Sequence, residues 1–309
     1  MIAFVFPGQG AQQVGMGRAL ADRFPECLET FDQADAALGM SISRLCFEGP
    51  AERLMLTEHA QPALVAVSTA AARALMARGV QPTLLAGHSL GEYSAHVAAG
   101  TLAFADAMRT VRNRGRYMQE AVPVGDGAMA AVLGLDAELV AQACDETACG
   151  QIVSPANLNA PGQTVIAGVR AAVERAGARA KELGARRIVS LAVSAPFHCA
   201  LMQPAADRLA PDLHGLVVSD PTVPVVANLD AEPKRDGAAS LAALVGQVTA
   251  PVQWERVVRR LASEGVDTYV EVGPGSVLSG LIRKIVRGAR VLSVSDPEGV
   301  DSAVSMLGS

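Results

Sequence analysis

The chain has 309 residues, of which half are hydrophobic and 18% are charged. That length suits one large domain or two ordinary ones, and the composition excludes a disordered chain. The 26 basic and 31 acidic residues leave a net charge of −5. Because no Lys/Arg-rich block accompanies that charge, a nucleic-acid-binding protein is not expected.

The sequence predicts neither membrane insertion nor export. Its longest apolar stretch, residues 62–72, already contains Ser68 and Thr69, whereas a spanning helix needs about 20 apolar residues. The N-terminal apolar run has no basic segment before it and ends at Pro7, which indicates a buried strand rather than a signal peptide. The five cysteines are scattered and form no C-x-x-C pair, so neither disulfides nor a zinc site is predicted. A cytoplasmic protein without membrane contacts is expected.

In the first part of the chain, predicted strands alternate with predicted helices. Strands embedded between helices of this length predict a parallel sheet with both faces covered. In chain order, the elements are a strand at 2–6, helices at 17–38 and 63–78, a strand at 83–86, and helices at 90–99 and 104–120.

The pattern changes at the Gly- and Pro-containing segment 123–127. A strand at 128–133, a helix at 137–147, strands at 152–158 and 163–167, a helix at 170–183 and a strand at 187–191 follow. This βαββαβ order is typical of a ferredoxin-like subdomain. We therefore predict a small subdomain at 125–195, inserted into a large α/β catalytic domain with a hydrolase-like core that is formed by 1–124 and 196–309. The α/β pattern resumes with a helix at 202–212, a strand at 223–228, helices at 240–248 and 254–263, a strand at 268–272 and a helix at 276–286.

The strongest local signal is Gly-x-Ser-x-Gly at residues 87–91, between a predicted strand and a predicted helix. Glycines at both ends permit a sharp turn that lifts the Ser89 hydroxyl out of the sheet. The following helix start aims free N–H groups, notably that of Leu90, at a developing oxyanion. A serine before an apolar helix is also an ordinary N-cap, but the strand–turn–helix context favours a nucleophile.

A serine nucleophile needs a base, and four of the five histidines are poorly placed to serve. The tight turn is expected to point His88 away from Ser89, and His96 lies two turns along the next helix. His59 and His214 occur in polar contexts and are expected to be exposed.

His198 is the favoured base, and only in combination with Ser89. It follows a strand at the predicted return from the small subdomain, and the order serine before histidine is typical of α/β folds with this turn. No Asp or Glu occupies an obvious position to orient the imidazole. A backbone carbonyl can do so, and the missing carboxylate argues against an ordinary esterase.

Two glycine-rich turns do not match nucleotide-binding loops. The first, residues 8–12, lacks the third glycine of a dinucleotide fingerprint, and no Walker A Gly-Lys-Ser/Thr is present. Its backbone can instead supply a second oxyanion N–H, at Gln9. The second, residues 271–275, contains a proline that removes one donor, so we interpret it as a structural turn.

Taken together, these motifs resemble the malonyl-CoA:acyl-carrier-protein transacylase family. They occur in the family order and span nearly the whole chain, which is far more specific than a lone Gly-x-Ser-x-Gly. The matching segments are Phe6-Pro7-Gly8-Gln9-Gly10-Ala11-Gln12, Gln61-Pro62-Ala63-Leu64, Gly87-His88-Ser89-Leu90-Gly91-Glu92-Tyr93, Arg114-Gly115, Asn157-x-Asn159-x-Pro161-Gly162-Gln163, Pro196-Phe197-His198, Gln247 with Pro251-Val252-Gln253-Trp254, and Glu271-Val272-Gly273-Pro274-Gly275.

The resemblance implies a role for each catalytic position. Ser89 would be the acylated nucleophile and His198 its base. The backbone N–H groups of Gln9 and Leu90 would form the oxyanion hole. In the family the histidine is oriented by the main-chain carbonyl of the glutamine that matches Gln247, which would replace the missing carboxylate.

The resemblance also implies that Arg114 binds the free carboxylate of the malonyl group. A guanidinium presents two parallel donors to a carboxylate, which a lysine does not. Without the resemblance, Arg114 would be interpreted as a solvated helix position between Arg112 and Arg116. Phe197 resembles the malonyl-selective pattern, because its ring would crowd an α-methyl branch, although some relatives carry a serine there. The other implied substrate-binding residues are Gln61, Asn157 and Asn159.

The implied reaction is a ping-pong acyl transfer. Malonyl-CoA acylates Ser89, CoA leaves after protonation by His198, and the phosphopantetheine thiol of acyl carrier protein attacks the ester. No metal, nucleotide or redox cofactor is implied, and a monomer is expected. Since the family's carrier protein is acidic and this chain is net negative, docking needs a local basic patch. The candidates are Lys181, Arg186 and Arg187 beside the small subdomain, and Arg283, Lys284 and Arg287 near the C-terminal helix.

Fatty acid synthesis is the favoured setting, but other functions share some of these motifs. A stand-alone malonyl acyltransferase of a polyketide synthase, or a malonate decarboxylase subunit, would carry the same set. A serine hydrolase of esters or thioesters would need a carboxylate partner for the histidine and no fixed arginine in the pocket. A non-catalytic carrier-protein-binding module is disfavoured, because Ser89, His198 and both oxyanion positions are intact.

Overall fold

The structure is a computed structural model that describes residues 1–308, in which there are ten strands and fourteen α-helices. The strands are β1 (Ile2–Phe6), β2 (Leu84–Gly87), β3 (Gly127–Leu133), β4 (Val153–Ala160), β5 (Gln163–Val169), β6 (Arg187–Ser190), β7 (Val225–Val226), β8 (Pro233–Lys234), β9 (Thr268–Val272) and β10 (Arg290–Val294). The helices are α1 (Arg18–Arg23), α2 (Pro25–Leu38), α3 (Ile42–Glu48), α4 (Ala51–Met55), α5 (Thr57–Ala77), α6 (Gly91–Ala98), α7 (Phe104–Glu120), α8 (Ala137–Thr147), α9 (Arg170–Glu182), α10 (Gln203–His214), α11 (Gly237–Gly246), α12 (Trp254–Ser263), α13 (Val277–Ile285) and α14 (Pro297–Leu307).

Six strands form the central sheet, in the order β10-β9-β1-β2-β7-β8. All neighbouring pairs are parallel except β7 and β8. Strand β1 lies inside the sheet, and its side chains alternate between two hydrophobic cores. Phe4 and Phe6 pack into one core, and Ala3 and Val5 pack into the other. Both faces of the sheet are therefore covered, as an apolar strand without polar positions requires.

Four antiparallel strands form a second sheet, in the order β4-β5-β3-β6. Helices α8 and α9 cover one of its faces and share a core with Val132 and Ile166. On the other face, Met129 and Val165 pack against Cys199, next to His198. The predicted α/β fold, with a parallel sheet and a βαββαβ unit, is confirmed. The subdomain boundaries at 125 and 195 stay a prediction.

Backbone hydrogen bonds join β4 to the segment before α12. The N–H of Leu158 donates to the carbonyl oxygen of Val252 at 2.9 Å, and the N–H of Val252 donates to that of Ala156, also at 2.9 Å. Asn157 lies between these two bonds, so its position relative to the segment before α12 is fixed by the main chain.

Several elements differ from the sequence prediction. The helix predicted at 17–38 is two helices, α1 and α2, because Phe24 is extended before Pro25 (φ −123°, ψ 117°). Helix α5 begins six residues before the predicted start and contains Pro62. The prediction lacks α3, α4, β8, β10 and α14. Among the described residues, no helix is both long enough and apolar enough to cross a membrane.

Candidate active site

The turn between β2 and α6 holds Ser89 in the left-handed backbone region, with φ 51°, which a serine rarely adopts. The glycines on either side are required by close contacts. A Cβ at Gly87 would overlap the backbone of Gly91, and a Cβ at Gly91 would overlap the carbonyl group of Phe6. Glycines at positions 87 and 91 therefore permit a turn that a side chain at either position would prevent.

His198 contacts this serine directly. The distance from Ser89 Oγ to His198 Nε2 is 2.7 Å. The other ring nitrogen, Nδ1, lies 2.8 Å from the backbone carbonyl oxygen of Gln247. Because a carbonyl oxygen only accepts, Nδ1 carries the proton and Nε2 is left to accept from the serine hydroxyl. This is the arrangement that the resemblance implies, with a carbonyl in place of a carboxylate.

The environment of His198 favours its neutral form. Its side chain is buried, and burial, together with the nearby Arg114 guanidinium, lowers its pKa to about 3. His198 also has a positive φ, 59°, so both members of the Ser–His pair have left-handed backbone conformations. At neutral pH the imidazole is therefore unprotonated at Nε2, as a general base must be before the reaction.

Arg114, on α7, is 2% exposed and lies beside the pair. Its Nη1 donates to Gln61 Oε1 at 2.9 Å. Its Nη2 donates to Gln247 Oε1 at 3.1 Å and to Ser89 Oγ at 3.2 Å. These three acceptors are neutral, so the guanidinium charge is available to an anionic ligand. The alternative interpretation of Arg114 as a solvated helix position is wrong.

A cavity of about 280 Å³ opens above Ser89, which approaches the volume typical of small-molecule sites. Gln247 and Asn159 are the two predicted site residues that do not line it. Gln247 lies behind His198 and Arg114, and Asn159 Oδ1 is 2.9 Å from His88 Nε2. The predicted site residues in its wall are Gln9, Gln61, Ser89, Leu90, Arg114, Asn157, Phe197 and His198, and apolar wall residues include Met55, Met118, Met129 and Leu191.

Gln9 and Leu90, the residues predicted to supply the oxyanion N–H groups, line the cavity next to Ser89. Leu90 immediately precedes α6, and Gln9 lies in the turn after β1. A Cβ at Gly8 would lie 2.5 Å from the carbonyl oxygen of His88, so this turn packs closely against the Ser89 turn. Among the hydrogen bonds of residues 1–308, none uses the backbone N–H of Gln9 or Leu90. Both donors are therefore available to an oxygen in the cavity.

Comparisons with known proteins show the family of this chain. The acyl transferase domain family matches residues 3–300. The chain is 51% identical over 304 residues to the malonyl CoA-acyl carrier protein transacylase of Salmonella typhimurium, which covers 98% of each protein. The solved structure of the malonyl CoA-acyl carrier protein transacylase of Coxiella burnetii has a TM-score of 0.97 at 44% identity, covering 100% of this chain and 98% of that one. A malonyl-transacylase solved in complex with a type II polyketide synthase acyl-carrier protein has a TM-score of 0.96 at 48% identity, covering 99% of each chain.

The chain belongs to the malonyl-CoA:acyl-carrier-protein transacylase family.

Among the described residues, the remaining histidines do not contact Ser89 through a ring nitrogen. His88 is bound to Asn159, as described above. His96 is fully buried, and burial lowers its pKa to about 3. His214 is exposed, as predicted, but the prediction that His59 is exposed is wrong, because it is only 8% exposed. Within residues 1–308 no group of three or more His, Cys, Asp or Glu side chains could hold a metal ion.

Two residues of this candidate site lie outside the sequence prediction. Asn228 Oδ1 accepts from the backbone N–H of Ser89 at 2.6 Å, and its Nδ2 donates to the carbonyl oxygen of Gly87, also at 2.6 Å. Glu92, in the first turn of α6, is fully buried, and burial raises its pKa to about 8. The only sequence signals are that Asn228 ends a predicted strand and that Glu92 follows the Gly-x-Ser-x-Gly motif.

Proposed function

We propose that this chain transfers a malonyl group from malonyl-CoA to the phosphopantetheine thiol of acyl carrier protein, for fatty acid synthesis, through an ester on Ser89. The observation that carries the proposal is the position of Arg114. A buried guanidinium without a carboxylate acceptor lies 3.2 Å from the Ser89 hydroxyl, where a malonyl group attached to that hydroxyl would place its free carboxylate. The names of the close relatives support the same substrates.

In the first half-reaction, His198 Nε2 takes the proton of the Ser89 hydroxyl while Oγ attacks the thioester carbonyl of malonyl-CoA. The negative charge on the carbonyl oxygen is stabilised by the N–H groups of Gln9 and Leu90. The C–S bond then breaks, and the departing CoA sulfur takes the proton from His198. The products are free CoA and malonyl-Ser89.

In the second half-reaction, the phosphopantetheine thiol gives its proton to His198, and the sulfur attacks the ester carbonyl. The same two N–H groups stabilise the oxyanion. The ester C–O bond breaks, and Ser89 Oγ takes the proton back from His198. The enzyme returns to its starting state with the malonyl group on the carrier protein.

We assign the choice of substrate to Arg114 and to the two glutamines that hold its guanidinium. Gln61 and Gln247 hold the two terminal nitrogens of the guanidinium in place, so its donors are oriented before a substrate arrives. Such preorganisation avoids the entropy cost of ordering a flexible side chain during binding. Phe197 in the cavity wall restricts the room available for branched acyl groups.

A serine hydrolase is the main alternative, and two observations disfavour it. The partner of His198 Nδ1 is the main-chain carbonyl of Gln247 rather than an Asp or Glu. Arg114 is buried in the cavity wall, whereas a general ester hydrolase has no need of a fixed cation there. Both features favour transfer of an acidic acyl group.

For carrier-protein docking we favour the β6 patch, defined as Lys181, Arg186 and Arg187. All three side chains are exposed. Lys181 also borders a second cavity of about 360 Å³ between α9 and the small sheet, and the two cavities share wall residues. Each candidate cluster contains a lysine that is already hydrogen-bonded: Lys181 Nζ donates to the carbonyl oxygen of Arg186 at 2.9 Å, and Lys284 Nζ donates to Gln163 Oε1 at 3.1 Å. The observation that favours the β6 patch is therefore the cavity beside Lys181. The residues shared by both cavities are Met129, Leu191 and Val193.

Intact-protein mass spectrometry after incubation with malonyl-CoA tests the proposal. We expect one malonyl adduct on Ser89 that disappears when phosphopantetheinylated carrier protein is added. Ser89→Ala should give no adduct, and Ser194→Ala, a cavity-wall control, should be labelled normally. Release of free malonate at a high rate without carrier protein would instead identify a hydrolase.

A further inference from the structure

The side chain of Glu92 lies beneath the Ser89 turn and binds two neighbours through a single oxygen. Its Oε2 accepts from Gln247 Nε2 at 2.8 Å and from the backbone N–H of Asn228 at 2.9 Å. The residue is fully buried. Burying a carboxyl group costs free energy unless the group is hydrogen-bonded.

Through these two neighbours, Glu92 is connected to each polar side chain of the proposed reaction. The Gln247 backbone carbonyl orients His198, and the Gln247 side chain holds Arg114. Asn228 holds the backbone N–H of Ser89. The nucleophile, the base and the cation are therefore each hydrogen-bonded directly to a residue that Glu92 holds.

The two ends of the Gln247 amide are chemically different, and their contacts fix its orientation. Its Nε2 faces the acceptor Glu92, and its Oε1 faces the donor Arg114. A 180° rotation of the amide would place Nε2 against the guanidinium donors and Oε1 against the carboxyl oxygen. Without Glu92, nothing at the Nε2 end would oppose that rotation except the longer contact of 3.4 Å with the carbonyl oxygen of Ser89.

We propose that Glu92 is a positioning residue that fixes the Gln247 side chain and Asn228 and thereby sets Ser89, His198 and Arg114 relative to one another. The inference rests on the proposed acyl transfer. It adds a residue to which neither the sequence motifs nor the comparisons assign a role. Glu92 does not itself border the cavity, so it acts through its two neighbours.

What the neighbours require from Glu92 is an acceptor oxygen at the right distance. Because burial raises the pKa of Glu92 to about 8, the carboxyl is largely neutral near pH 7. A neutral amide of equal length should therefore replace it, whereas a shorter carboxyl should not. Glu92→Gln and Glu92→Asp form a matched pair that separates reach from charge.

For Glu92→Gln we expect the rate of Ser89 malonylation to stay within about threefold of wild type, because the acceptor oxygen is kept. For Glu92→Asp we expect a loss of roughly 10- to 100-fold, because a shift of about 1 Å in a positioned group has that effect. The malonyl-to-acetyl preference should fall in the same variant, because Arg114 loses a fixed partner. A merely structural role would lower the melting temperature without changing that preference.

Either of two kinetic results would overturn the proposal. One is a Glu92→Asp variant with the rate and preference of the wild type, and the other is a Glu92→Gln variant as slow as Glu92→Asp. Gln247→Met gives a second route, since it removes the side chain through which Glu92 acts on Arg114. Adding Glu92→Asp to it should change the malonyl-to-acetyl preference little further, and a fully additive change would count against the proposal.

Crystal structures of both Glu92 variants give a readout that needs no activity. The contact between Arg114 Nη2 and Gln247 Oε1 should persist in Glu92→Gln and be broken in Glu92→Asp. Its persistence in Glu92→Asp would overturn the positioning role whatever the kinetics. If wild-type Ser89 were never malonylated, the proposed function would fail, while these structures would still decide the role of Glu92.

Discussion

Replacing Arg114 by alanine should change which acyl group the enzyme prefers. The guanidinium is 2% exposed and has only neutral hydrogen-bond acceptors. A malonyl carboxylate bound there would be desolvated and paired with a buried cation. In the variant, the same carboxylate would enter the cavity without a partner.

The magnitude follows from the burial of that pair. Removing one partner of a buried ion pair costs about 3–5 kcal/mol, and each 1.36 kcal/mol is about a factor of ten in rate. The kcat/KM for malonyl-CoA should therefore fall by about 10²- to 10⁴-fold. Acetyl-CoA has no such carboxylate, and its transfer loses only the Arg114–Ser89 hydrogen bond, which is worth about 0.5–1.5 kcal/mol, or at most about tenfold.

The assay is kcat/KM for malonyl-CoA and for acetyl-CoA in the wild type and in Arg114→Ala. Arg116→Ala is the matched control, because Arg116 is an exposed arginine on the same helix. We expect the malonyl-to-acetyl ratio to collapse in the first variant and to be preserved in the second. A malonyl-to-acetyl ratio in Arg114→Ala that stays within about threefold of the wild-type ratio, far below the loss expected for a broken buried ion pair, would show that Arg114 does not select the substrate.

Three further predictions concern the base, the nucleophile turn and the docking surface. Burial lowers the pKa of His198 from 6.5 to about 3, so the imidazole stays neutral as the pH falls. The initial rate of Ser89 malonylation should therefore be flat from about pH 8 to about pH 5. A rate that falls to half its plateau value at about pH 6.5 would contradict this prediction. Gly91→Ala forces a Cβ into the carbonyl of Phe6 and should lower the free energy of unfolding in urea by about 3 kcal/mol or more. Gly280→Ala, in α13 with open space around it, should instead raise that free energy by about 0.5–1 kcal/mol. Replacing all three residues of the β6 patch by glutamate should raise KM for carrier protein and leave acylation by malonyl-CoA unchanged. The increase in KM should be smaller in high salt, because surface charges are then screened. An equal loss of rate in both half-reactions would reject the patch as the docking surface.

The elements that the sequence predicts best are those whose apolar residues face one core. Helices α7 and α12 have the predicted bounds, because in each case buried positions recur at the helical period. Strand β9 also has the predicted bounds, although all five of its residues are buried. Strand β10 lies at the sheet edge with Arg290 and Ser293 exposed, so its pattern is weak. Helix α14 does have a sequence signal, because Asp296 caps the N–H of Gly299 and Pro297 occupies the first turn.

In the site, chemistry-bearing residues within a motif are easier to predict than the residues that support them. Ser89 and His198 follow from a motif and from elimination, and the structure places them in contact. The sequence does not predict Asn228 and Glu92 as site residues, because their partners are backbone groups and side chains more than 100 positions away. A sequence shows that such polar residues exist, but it does not show which distant atoms they meet.

The position of β1 between β9 and β2 has a consequence for how the chain folds. Residue 2 pairs with residue 268, so the sheet that carries the nucleophile cannot close until most of the chain has left the ribosome. The small sheet, in contrast, is built from the continuous stretch 127–190 and can form earlier, because domains fold as units during synthesis. In the interval, β1 would offer an unpaired apolar edge, which favours association with other chains. We therefore expect slow final folding and a strong dependence of soluble yield on the last segment, residues 268–294.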